Sequence, residues 1–211
     1  MCIRDRLPSA DALKITAPSG ARARLIELVP GQILTRETIV TPAIDNGCMV
    51  ADPQRDIAKV CVFERHHGSG AFGVAFVRGL GLQKGAIGSS VAHDSHNLIV
   101  VGMNDDDILA CAQTICRMHG GQAAVCGKCT KTLPLPIAGL ISPDSAENVV
   151  KQEQELDAFC AHTLGVTFPH PMAALSFMSL PVISQLRITD KGLFSIEPGG
   201  YPKPVDIFCN H

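Results

Sequence analysis

The sequence has no apolar run long enough to cross a bilayer. Its longest purely apolar runs are short, such as Leu98 to Val101, whereas a span needs roughly 20 residues. It has no excess of either charge: 18 Lys and Arg stand against 20 Asp and Glu, a net charge of −2. That leaves no basic field to draw nucleic acid or an anionic membrane. No secretory leader is expected, since Met1 to Arg6 carries charge but no apolar stretch follows. Internal repeats and low-complexity segments are missing too. So are three local catalytic signatures: Gly-x-Ser-x-Gly, His-Glu-x-x-His, and His-x-Glu followed by Pro-Cys-x-x-Cys.

What is present is apolar for a chain of this kind. Hydrophobic residues make up 46% of the 211, charged residues only 18%, and the mean hydropathy is +0.20. Such a chain forms one large or two small domains and buries a real core. Disorder is excluded by the amount of apolar side chain. The composition also fits a domain that buries a face against something else. The nine cysteines are an odd number in a chain that is not small. Several sit inside apolar runs, such as Cys61 in Val60-Cys61-Val62-Phe63. They read as reduced cytosolic thiols used as core filler, and a cytoplasmic location is expected.

The pattern predicts strands first and helices later, an α+β fold with a mainly antiparallel sheet and two longer helices in the second half. Strands are expected over Ala21 to Val29, Thr35 to Val40, Ile57 to Phe63 and Phe72 to Val77. Ile57 to Phe63, apolar on both faces at its centre, should be a buried strand. Gly85 to Ala92 and Leu98 to Gly102 read as strands around the polar turn His93-Asp94-Ser95-His96-Asn97. Asn104 can cap a helix whose first turn holds Asp105, Asp106 and Asp107. Ile108, Cys111, Ala112, Ile115 and Met118 recur at helical spacing in it. Gly127-Lys128 suits a type II′ hairpin between Gln122 to Cys126 and Cys129 to Leu133. A second helix is predicted from about Ser145 to Leu164, and a short one near Met172 to Phe177. Residues 1–12 are expected to be an unstructured, truncated or artefactual start, 13–196 the domain, and 197–211 an extended, loosely held tail.

The densest polar cluster is His93 to Asn97. A four-residue turn brings i and i+3 together, so His93, Asp94 and His96 can converge on a metal or substrate. The competing readings are a hydrogen-bonded turn and an active-site lid or interface element. Glu64 and His66 lie at i, i+2 at a strand exit, where proton transfer or a solvated charged end are the alternatives. Cys126-Gly127-Lys128-Cys129 lacks the second ligand pair zinc needs and the helix start a redox pair needs. It reads as two cross-strand cysteines. The glycines of Gly79 to Gly85 look like a phosphate loop, but no helix directly follows them.

The run Gly79-Leu80-Gly81-Leu82-Gln83-Lys84-Gly85-Ala86-Ile87-Gly88-Ser89-Ser90-Val91-Ala92-His93-Asp94-Ser95-His96-Asn97 resembles the signature stretch of the carboxy-terminal domain of bacterial adenine deaminase. Further pieces agree in the same order: Val29 to Ile33, Val62 to His66, Leu133 to Leu140, Leu175 to Ile183 and Ile188 to Leu193. The resemblance implies a family that converts adenine and water to hypoxanthine and ammonia. Its catalytic divalent metal, manganese or iron, sits on a (β/α)₈ barrel preceding this domain. Such a barrel needs about 250 residues, and none fits before Leu13. The resemblance therefore carries over the domain and not the metal ligands. It implies no cofactor in this chain, the barrel of the same enzyme as partner, adenine met only through the full enzyme, and a homo-oligomer. Glu64, His66, Ser90, His93, Asp94, His96 and Asn97 are then candidates for an active-site lid or an interface. A stand-alone, non-catalytic binding module derived from that domain is the alternative.

Overall fold

The computed structural model describes residues 6–209. In chain order the elements are β1 (Ile15–Thr16), β2 (Arg22–Leu28), β3 (Thr35–Val40), β4 (Ala43–Asp45), β5 (Cys48–Val50), β6 (Ile57–Phe63), β7 (Phe72–Arg78), β8 (Ala86–Ser89), β9 (Leu98–Gly102), α1 (Asp105–Arg117), β10 (Gly121–Cys126), β11 (Cys129–Pro134), α2 (Ala146–His162), α3 (Pro171–Met178), β12 (Leu186–Thr189), β13 (Gly192–Ser195), β14 (Lys203–Pro204) and β15 (Phe208–Cys209).

Nine strands form the main sheet in the order β11-β10-β8-β9-β6-β7-β2-β15, with β3 on the other edge of β2. Neighbours are antiparallel except β2 and β7, which run parallel with Ile26 opposite Val77. The fold is thus mixed α+β. Along β6 alternate side chains enter different cores. Cys61 and Phe63 join Ile108, Cys111 and Ile115 of α1 on one face. Val60 and Val62 join Leu156, Cys160, Leu175 and Met178 of α2 and α3, with Ile188 and Leu193, on the other. Covering both faces explains why β6 and β9 are buried at every position. Each Leu or Ile so buried contributes about 1.5–3 kcal/mol.

The local signals act as chemistry requires. The Asn104 side chain accepts from the Asp107 N–H at 2.7 Å and caps α1, with three aspartates in the first turn and Arg117 in the last. Ser145 caps α2. Gly127 takes φ +56 in the two-residue turn between β10 and β11, and Cys126 stands opposite Cys129. Lys59 is a charge in the all-buried β6. Its Nζ reaches the Leu13 carbonyl at 3.0 Å and Asp105 at 2.5 Å.

Two segments differ from their sequence reading. Of the start expected to lack structure, Met1 to Asp5 lie outside the described residues, whereas Ala10–Leu13 form a 3-10 turn whose Leu13 is fully buried. Where a loosely held tail was indicated, β14 pairs with β13, and β15 pairs with β2. The apolar pairings available to Ile207 and Phe208 explain this. Among the described residues no helix is long and apolar enough to cross a membrane, and Cys48, Cys61, Cys111, Cys116, Cys126, Cys129, Cys160 and Cys209 are free thiols.

Candidate functional site

β6 ends at Phe63, and the chain turns back into β7 through Glu64 to Ala71. Glu64 holds that turn. Its Oε1 accepts from the His66 N–H at 2.5 Å and the His67 N–H at 2.8 Å. Its Oε2 accepts from the Ser69 N–H at 3.1 Å and the Ser69 hydroxyl at 2.8 Å. Burial alone would raise its pKa. The donated hydrogen bonds outweigh that and hold it down at about 2. Glu64 is therefore a fixed anion, with both oxygens occupied by its own loop. It does not face the His66 ring. That ring reaches across instead, with Nε2 2.6 Å from the Ser95 carbonyl oxygen. A carbonyl only accepts, so Nε2 carries the proton.

The turn from His93 to Asn97 lies against this strand exit. The buried Asn97 ties three segments together. Its Oδ1 accepts from the Arg65 N–H at 3.4 Å, and its Nδ2 donates to Asp190 Oδ1, between β12 and β13, at 3.0 Å. The buried Arg65 guanidinium donates to the His96 carbonyl at 3.3 Å. It packs directly on Gly139, where any Cβ would collide with it and where φ is +76. Ser90, fully buried, donates to the Gly139 carbonyl at 2.6 Å and accepts from the Gly121 N–H at 2.7 Å. Ser90 and Arg65 therefore clamp one stretch of backbone.

The imidazoles of His93 and His96 lie 6.1 Å apart between ring centres, and Phe177 packs on His93 at 4.8 Å. His96 has φ +49, and among the described residues its buried Nδ1 has no hydrogen-bond partner. Burial, and then the neighbouring His93, push its pKa down, so it favours the neutral ring. Asp94 is exposed. Beside His93 opens a cavity of about 300 Å³, lined among others by Gln122, Asp157, His170, Ser176 and Phe177. Among the described residues the buried Gln122 Oε1 has no hydrogen-bond partner.

The structure thus brings His66, His93, His96 and Asn97 to one rim at the sheet end, with Glu64 and Ser90 supporting it from below. Among the described residues no three His, Cys, Asp or Glu side chains converge as metal ligands. His93 and His96 by themselves do not fit a catalytic divalent metal, which needs a third protein ligand. Nor does Glu64 or Ser90 have a free oxygen to act as base or nucleophile. The rim can present imidazole groups and accept hydrogen bonds from a partner. Sequence reading missed Arg65, Ser69, Asp190 and Phe177 in this arrangement. Arg65, Phe177 and Asp190 lie inside the motif-bearing stretches, which was the available signal.

Comparison with known proteins completes the picture. Residues 32–199 match the family model described as the adenine deaminase C-terminal domain. The chain is 46% identical over 189 residues to an adenine deaminase of Oleidesulfovibrio alaskensis, covering 89% of this chain and 33% of that protein. It is 45% identical over 188 residues to an adenine deaminase of Desulfatibacillum aliphaticivorans, covering 88% and 33%. It is 42% identical over 197 residues to one of Methanothrix thermoacetophila, covering 93% and 34%. The chain spans about a third of the length of these relatives. With a family match running from the early strands through the β12–β13 hairpin, the chain belongs to the adenine deaminase C-terminal domain family.

Proposed function

We propose that this chain is the C-terminal part of a cytoplasmic adenine deaminase and supports a metal-dependent catalytic domain without itself performing deamination. Adenine and water become hypoxanthine and ammonia, a hydrolysis in purine salvage. The manganese or iron and the contacts to the purine belong to the remainder of the enzyme, and the assembly is a homo-oligomer. The observation that carries this reading is the 46% identity to a third of a named adenine deaminase. In this reading the rim of His66, His93, His96 and Asn97 closes over the catalytic domain or packs at its interface. Exposed apolar side chains give further support. Val182 is 70% exposed, and Ile33 and Leu34 are 49% and 44% exposed. A backbone hydrogen bond from Thr35 to Ser184 holds their two segments together. A stand-alone module would keep such a patch polar. The free thiols suit a reducing compartment.

The test uses two samples. The purified chain, given adenine with manganese or iron, releases no ammonia. Mixed with the separately produced leading two-thirds of a relative, it co-elutes with that part on gel filtration. Ammonia release by the chain alone, or separate elution at every concentration tried, would refute the proposal.

A further inference from the structure

Arg187 is among the largest fully buried side chains of the protein, 1% exposed in the middle of β12. Its guanidinium donates to four backbone carbonyls. Nε reaches Ile183 at 2.7 Å, Nη1 reaches Phe177 at 3.2 Å, and Nη2 reaches Ile33 at 2.7 Å and Ser184 at 3.1 Å. A guanidinium carries five N–H groups, so one Nη1 N–H is left over. Carbonyl dipoles solvate the cation but do not neutralise it, and among the described residues no carboxylate forms a salt bridge with it. Burial brings its pKa down to about 10, so it stays charged at neutral pH. A buried cation without a counter-ion is costly.

The same residue lines a cavity of about 230 Å³. The other walls are mostly apolar and partly aromatic, with Leu28, Leu34, Phe168, Ala174 and Phe177 among them, and Gln32, Thr35 and His170 add polar groups. A fixed positive charge in a mostly apolar chamber selects a ligand with one negative charge and an apolar body. The volume lies below the roughly 300–1,000 Å³ of drug-sized sites, which limits the ligand to one ring or a short chain.

We propose that this cavity is a binding site for a small monocarboxylate with a flat apolar body, its carboxylate set against the Arg187 guanidinium and its ring between Phe168 and Phe177. The cavity shares His170, Ala173 and Phe177 with the one beside His93, but its ligand chemistry rests on Arg187 and not on the deaminase reading. The guanidinium supplies a charge-assisted hydrogen bond, and the apolar walls supply the remaining affinity.

The experiment titrates benzoate into the full chain, following amide shifts of Ala173, Ala174 and Leu186 by NMR and the thermal midpoint in parallel. Benzamide has the same shape without the charge and serves as the control. Saturable shifts at these amides and a rising midpoint are expected with benzoate, with binding of benzamide weaker by about tenfold or more. Replacing Arg187 removes four carbonyl ties and threatens folding. The informative variant is therefore Ala173→Trp, at an exposed helical position on the cavity wall. It should fold, keep the Arg187 bonds and lose benzoate binding. The proposal is overturned by an absence of saturable shifts in the wild-type chain, by benzamide binding as well as benzoate, or by undiminished benzoate binding in a folded Ala173→Trp.

Discussion

Glu64 carries a carboxylate with no free lone pair directed outward, and its environment fixes what pH does to the fold. Its folded pKa, about 2, lies below the ordinary 4.5. Such a depressed group stabilises above the ordinary value, and the contribution fades as pH falls from 4.5 toward 2. Glu64→Gln should cost about 1–3 kcal/mol at pH 7, the scale of hydrogen bonds to a charged group. The urea midpoint should show that cost shrinking between pH 7 and pH 3.5. An undiminished cost at the lower pH would contradict the ionic role. Asn97→Ala should lose about 1–2 kcal/mol, because Arg65 and Asp190 both lose a partner. Asp94→Ala, at an exposed position three residues earlier, should stay within about 0.5 kcal/mol. Equal costs at the two positions would undo this division between support and surface. His93 to Asn97 were legible as a polar cluster and Glu64 and His66 as a strand exit, whereas Ser90 entered only through the resemblance and the partners of all of them were not legible. Glu64 to Ser69 is local, whereas Asn97 to Asp190 spans 93 positions, and no spacing rule reaches that far.

Elements were legible where a short-range signal was strong. The apolar run Ile57–Phe63 became a strand of those bounds, and Thr35–Val40 and Leu98–Gly102 did the same. Asn104 announced α1. Its replacement by Ala should cost about 1 kcal/mol, in the range of 0.5–2 for lost N-caps, read from denaturant unfolding. A cost near zero would mean that the aspartates of the first turn hold the helix start unaided. Lys59 exerts a longer reach, since it links the middle of the sheet to α1 and to Leu13. Lys59→Ala should cost about 3–5 kcal/mol, because Asp105 and a buried carbonyl lose their donor together. Elements escaped where signals were short or remote. The two- and three-residue strands β1, β4 and β5 exist through pairing alone. The β12–β13 hairpin turns on Asp190-Lys191, inside a stretch noticed only for its resemblance. The parallel contact of β2 with β7 follows from long-range packing that no local pattern encodes.

At the scale of the whole molecule, a sheet covered on both faces by helices and a hairpin leaves the polar cluster of His66, His93, His96 and Asn97 at its end. This architecture holds the half-buried His93 and His96 at the sheet end. In a complete enzyme containing this domain, His96→Ala should lower turnover or assembly and leave bound metal unchanged, checked by kinetics, gel filtration and metal analysis on one preparation. Unchanged kinetics together with unchanged oligomer size would remove the turn from the function.

The most direct test joins this chain to the leading two-thirds of the Oleidesulfovibrio alaskensis adenine deaminase, in place of the third it matches, and measures ammonia released from adenine. The account predicts that the chimera is active, that the truncated parent is severely impaired, and that this chain alone is inactive. A chimera no more active than the truncated parent, or deamination by this chain alone, would contradict it.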